Sequence, residues 1–87
     1  MSLKEAFEEA TASSKLLPAK PDNQTLLRLY GLYKQATEGD LGPAVPQPGA
    51  FDFVAKAKYD TWQGLNGMSA DEAMNAYIDL IKTLKDH

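Results

Sequence analysis

A chain of 87 residues with 44% apolar and 24% charged side chains describes one small folded domain, residues 1–87, with room for three or four helices and none for a doubly wound sheet or a closed barrel. It holds no cysteine and one histidine, the terminal His87, which excludes a disulfide framework, a thiolate or histidine-based zinc site and a cysteine or histidine-assisted nucleophile. The net charge of −3 argues against nucleic acid as a partner, since such a partner selects a basic face.

Ser2 and Glu5 have the Ser-x-x-Glu spacing of a capping box, and Leu3, Phe7, Ala10 and Leu17 fall near one stripe of the helix that follows. Pro18 and Pro21 are expected to end it. Asp22 or Asn23 then caps a second helix through Leu26, Leu29, Tyr30, Tyr33 and Ala36, which stops at Gly39. Residues 41–50 hold three prolines and two glycines and read as a stiffened loop. A third helix is expected from near Asp52, carrying Val54, Ala57, Lys58, Trp62 and Leu65, weakened at Gly64 and ended by Gly67. Ser69 and Glu72 form a second capping box. It opens a helix with Ala73, Tyr77, Leu80 and Leu84 on one face and Met74 and Ile81 beside them.

No segment alternates as a strand does, so the expected class is all-α, a small four-helix bundle. No apolar run is long enough to span a membrane, and acids stand where a signal peptide needs apolar residues. The expected compartment is therefore the cytoplasm, without stable membrane insertion. Asn23-Gln24-Thr25 matches a glycosylation acceptor, but without a signal peptide it reads as a chance match.

Catalytic signatures are missing: there is no phosphate loop, no nucleophile elbow and no paired histidine. The neighbouring Asp71 and Glu72 are accounted for by helix capping. An enzyme is not expected.

The informative stretch is Tyr30-Gly31-Leu32-Tyr33-Lys34-Gln35-Ala36-Thr37. Tyr30 and Lys34 are four apart and share a helical face, with Tyr33 beside them. A phenol and an ammonium side by side suit a phosphate, and a second ring offers a flat face for a base. Gly31 in mid-helix costs about 1 kcal/mol against alanine, which suggests a close neighbour. The competing reading places both tyrosines in the core and the lysine on the surface. A second basic pair, Lys56 and Lys58, is two apart, so at most one can share a pocket with Lys34. Tyr59 and Trp62 would form an aromatic ridge; the competing reading buries Trp62 and leaves one lysine solvated. Residues 28–58 are the only third of the chain with a positive balance, so an anion is expected there first.

The two stretches together resemble the acyl-CoA-binding protein family. The family's Tyr-x-x-Tyr-Lys-Gln-Ala-Thr followed by Gly-Asp is present as Tyr30 to Thr37, Gly39 and Asp40. Its Pro-Gly-x-x-Asp-Phe-x-x-Lys-Ala-Lys-x-x-x-Trp block is present as Pro48, Gly49, Asp52, Phe53, Lys56, Ala57, Lys58 and Trp62. Leu65, Gly67, Ser69, Ala73, Met74, Ala76, Tyr77 and Ile78 continue the pattern, and Phe7, Ala10, Leu17, Lys20 and Pro21 fit it less specifically.

The resemblance implies a shallow bowl for a long-chain fatty acyl-CoA thioester on an antiparallel four-helix bundle. It implies a monomeric intracellular carrier and pool former with no cofactor, not a catalyst. Tyr30, Lys34 and Lys58 match the residues that hold the ribose 3′-phosphate. Tyr33 and Tyr77 match aromatic positions that pack on adenine and ribose. Lys15 matches a lysine bordering the ligand, and Leu26 and Leu27 match apolar positions near the acyl chain. The sequence departs from the family in a longer, more proline-rich loop after Asp40, in Val54 where a lysine is often found, and in Tyr59 where tryptophan is common. That loop is expected either to edge the bowl, with Ala44 and Val45 against the ligand, or to be a stiff connector. Two other functions compete with the carrier: a small helical protein-interaction module, and a CoA-thioester hydrolase, which would need a nucleophile or base absent from the sequence.

Overall fold

The structure, a computed structural model, describes residues 1–86; His87 and the expectation attached to it lie outside the described residues. Helix α1, Leu3–Ser13, opens on the anticipated box: the Glu5 amide donates to Ser2 Oγ and the Ser2 amide to Glu5 Oε1. It ends earlier than the prolines require. Thr11 and Ser14 hydroxyls donate to the carbonyls of Glu8 and Thr11, at 2.7 and 2.6 Å, and residues Ser14–Leu16 tighten into a 3₁₀ turn. Leu17 is extended, as a residue before proline must be.

Asp22, not Asn23, caps α2, Asn23–Glu38, by accepting from the Thr25 amide at 2.7 Å. Thr25, through its side chain first and then its amide, holds the Asp22 carboxyl below its ordinary value. Helix α2 stops at Gly39, whose φ of 79° suits glycine. Asp52 caps α3, Phe53–Gln63, which stops at Gly64, one turn before Gly67 takes a φ of 94°. The Ser69–Glu72 box opens α4, Ala70–Lys85, where Lys82 and Lys85 in the last turn favour the helix dipole.

Three helices build the core. Phe7 and Ala10 of α1 meet Leu29, Leu32 and Ala36 of α2 and Ala73, Tyr77 and Ile81 of α4. Ile81 is the buried residue of the α4 face rather than Leu80, which is half-buried. Helix α2 is central: it packs on both α4 and α3, while α1 packs on α4. The four helices thus form the expected small four-helix bundle, flattened to a slab of 38 × 27 × 16 Å, with α3 laid against α2.

Gly31 explains that close approach. A Cβ there would stand 2.9 Å from Thr61 Cγ2 and 3.2 Å from Leu65 Cδ1. Trp62 is buried, and its Nε1 donates to the Gly39 carbonyl at 2.9 Å, so it forms no surface ridge with Tyr59. Buried Gln35 fastens the end of α2 to the α3–α4 connection. Its Nε2 donates to Asp40 Oδ1 and to the Met68 carbonyl at 2.7 and 2.8 Å, and Asp40 Oδ1 also accepts from the Gly67 amide at 2.8 Å.

Candidate functional site: a trough across helix α2

Three connected grooves cross one face of the slab. The first lies between α2 and α3, about 380 Å³ in volume and almost wholly apolar, with walls formed by Leu26, Leu27, Tyr30, Phe53, Val54 and Lys58. Leu26 and Tyr30 also wall the second, about 300 Å³, together with Leu17, Tyr33 and Tyr77. Tyr33, Tyr77 and Ser14 continue into the third, about 400 Å³, which is bounded by Thr11 and Lys15. The trough therefore runs from an apolar slot with Lys58 on its wall to a polar end with hydroxyls and Lys15.

Each element delivers its side chains for a local reason. Four-residue spacing puts Leu26 and Tyr30 on one flank of α2. The Asp52 cap starts α3 so that Phe53 and Val54 stand at its first turn, 74% and 68% exposed. The 3₁₀ turn after α1 brings Ser14 and Lys15 beside Tyr33 and Tyr77.

The structure brings seven of the eight sequence-predicted residues to this trough: Lys15, Leu26, Leu27, Tyr30, Tyr33, Lys58 and Tyr77. Lys34 is the exception. Its Nζ lies 5.2 Å from the centre of the Trp62 ring and is ion-paired with Glu38, not with a groove residue. The Glu38 hydrogen bond raises the Lys34 pKa above its ordinary value, partly opposed by desolvation. Lys58 and Lys56 separate as their spacing requires. Lys58 Nζ sits 5.2 Å from the Tyr30 ring centre, whereas Lys56 pairs with Asp60 at 3.1 Å.

The aromatic residues also divide. Tyr33 is 44% exposed and stacks on Phe7, with centroids 6.0 Å apart, leaving ring surface for a ligand. Tyr30 is half-buried, so the reading of both as core tyrosines fails. Tyr77 is a core residue at 5% exposure, edge-on to Phe7 at 5.2 Å, and meets the trough only with its rim. It cannot offer a full stacking face.

The proline-rich loop does not line the trough. It folds into turns closed by Val45 N–H to the Gly42 carbonyl and Asp52 N–H to the Gly49 carbonyl, at 3.2 and 3.1 Å, and the Leu41 amide donates to Asn66 Oδ1. These bonds fit the stiff connector of the two expectations. Sequence reasoning put Val54 on the inward stripe of α3 and overlooked Phe53 as a wall. The available signal was two bulky apolar residues directly after a helix cap, one turn from a lysine.

A hydrocarbon fits the slot by burial alone, and an anionic, ring-bearing head fits the lysines, hydroxyls and exposed tyrosine. Among the described residues no group of three or more His, Cys, Asp or Glu side chains gathers as a metal site requires, and none of the helices there is long and apolar enough to cross a membrane.

The chain is 49% identical over 84 residues to an acyl-CoA-binding protein of Brassica napus, covering 97% of this chain and 89% of that protein. It is also 49% identical over 78 residues to the enoyl-CoA delta isomerase 2 of Rattus norvegicus, but spans only 19% of that protein's length. The crystal structure of Oryza sativa acyl-CoA-binding protein 2 superposes with a TM-score of 0.89 at 41% identity, covering 98% of this chain and 92% of that one. The family model described as Acyl CoA binding protein matches residues 4–81, and the chain belongs to that family.

Proposed function

We propose that the chain binds long-chain fatty acyl-CoA thioesters, one per chain, and serves as a monomeric cytoplasmic carrier and pool former that does not transform its ligand. The observation that carries this reading is the continuity of the trough: an apolar slot with Lys58 on its wall joins, through Tyr30, a region of hydroxyls, exposed aromatic surface and Lys15. The acyl chain lies along Leu26 and Leu27. The ribose 3′-phosphate meets Tyr30, Lys58 and Lys34, the adenine packs on Tyr33 and the rim of Tyr77, and Lys15 borders the head.

Calorimetric titration with palmitoyl-CoA, CoA and palmitate tests the reading. Palmitoyl-CoA should bind at a single saturable site, and both fragments far more weakly, because each engages half the trough. Equal affinity for CoA and palmitoyl-CoA would remove the acyl slot from the account. Mass spectrometry of palmitoyl-CoA held for hours with excess protein should show the thioester intact; turnover abolished by a carboxylate substitution would make the chain an enzyme.

A further inference from the structure

Lys34 alone among the proposed contacts stands outside the trough lining, and the group that engages it belongs to its own helix. Its ammonium bonds the Glu38 carboxylate one turn on while resting over Trp62, which is itself fixed by its bond to the Gly39 carbonyl. The Glu38 side chain is 52% exposed and the Lys34 side chain 27% exposed, so the pair is accessible from solvent.

Helix stability does not explain the acid. Glu38 is the last residue of α2, where a carboxylate faces the negative end of the helix dipole. Lysine preceding glutamate is also the weaker order for such a pair. Helix α4 carries lysines in its last turn, and α2 has no basic residue there. The acid at this position acts on Lys34.

We infer that Glu38 sets the affinity of the phosphate subsite: it is an internal carboxylate occupying the ammonium that a phosphomonoester on the ligand must share or win. The inference rests on the reading that Lys34 meets the ligand's phosphate. A phosphate arriving at Lys34 must break the ion pair and then tolerate the displaced carboxylate as a near neighbour of like charge. Glu38 therefore lowers affinity selectively for thioesters that carry the 3′-phosphomonoester and eases their release.

Calorimetry on the wild type, Glu38→Gln, Lys34→Ala and the double variant, with palmitoyl-CoA and 3′-dephospho-palmitoyl-CoA, tests this. Glu38→Gln should tighten palmitoyl-CoA about threefold to fivefold and the dephospho form by less than about twofold. In the Lys34→Ala background the gain for palmitoyl-CoA should shrink, because no ion pair remains to be broken. Unchanged or weaker binding of palmitoyl-CoA by Glu38→Gln overturns the inference, as does an equal gain for both thioesters, which would report only the altered net charge. A lowered melting temperature accompanied by weaker binding would make Glu38 a structural residue and overturn it too. A wild type that binds palmitoyl-CoA while Glu38→Gln fails sinks this inference alone; a wild type that binds no palmitoyl-CoA sinks the ligand reading and this inference with it.

Discussion

Lys56 and Lys58 are two positions apart, which is about 200° around a helix. One ammonium turns to Asp60 and the other lies over Tyr30. That divergence was legible from spacing. Which lysine faces the trough was not, because the answer depends on where α3 meets α2. Lys58→Ala should weaken palmitoyl-CoA binding by about 1.5–3 kcal/mol, the worth of a charge-assisted hydrogen bond, and Lys56→Ala should leave it nearly unchanged. Calorimetry on both variants checks this, and equal losses would mean that Lys56 also reaches the ligand. Asp40 carries a different prediction at the same scale. Hydrogen bonds from the Gly67 amide and then from Gln35 hold its carboxyl below the ordinary 3.8. Its folded pKa is depressed, so its contribution to stability is present above the unfolded value and is lost as pH falls through the folded one. The wild type should therefore melt above Asp40→Asn at neutral pH, and the gap should close as the pH drops below about 3.8. A gap that persists at pH 2 would assign the effect to packing. Sequence reading took Gln35 and Asp40 only as parts of a motif, since the partner carbonyl at Met68 lies in a distant segment.

Helices show most clearly what local sequence can specify. Both Ser-x-x-Glu boxes form as their spacing requires, and the glycine after α2 ends it. The end of α1 escaped, because hydroxyl back-bonding stops the helix before its prolines act. Gly31 was legible as a close approach, and the neighbour proves to be Thr61, whose hydroxyl is held by the Ala57 carbonyl at 2.8 Å. Gly31→Ala gains up to about 1 kcal/mol of helix propensity but overpacks by about 1–3 kcal/mol, so a net loss of up to about 2 kcal/mol is expected. Thr61→Ser removes the obstructing methyl and should recover most of that loss in the double variant. Denaturant melts of the four proteins measure the coupling. Additive effects would place the strain elsewhere than between α2 and α3. The loop of residues 41–50 belongs to this scale as well. With none of its residues in the trough, shortening it should leave the order of preference among acyl chains unchanged.

Over the whole molecule, the all-α four-helix bundle was legible in the sequence, but not its flattened shape with α3 attached through α2. Binary pattern tells which residues are buried, and several ways of stacking four amphipathic helices satisfy it. The flattened geometry matters because it leaves the α2–α3 slot open along its length, with Tyr30 and Lys58 on the same walls as Leu26, Leu27 and Phe53, and continues it past Tyr33 to Lys15. Each pair of methylenes added to the acyl chain should gain up to ~1.6 kcal/mol while it is covered by the slot, at ~0.8 kcal/mol per buried methylene, and nothing once the chain outgrows it. Phe53 forms part of the slot wall and is 74% exposed, so replacing it costs little fold. Phe53→Ser should flatten the dependence on chain length and weaken free CoA much less than palmitoyl-CoA, because free CoA has no hydrocarbon to set against that wall. The loss caused by removing the 3′-phosphate should also be the same in both proteins. A titration series from octanoyl- to stearoyl-CoA on the two proteins reads these quantities together. If Phe53→Ser weakens free CoA as much as palmitoyl-CoA, the hydrocarbon does not lie between α2 and α3.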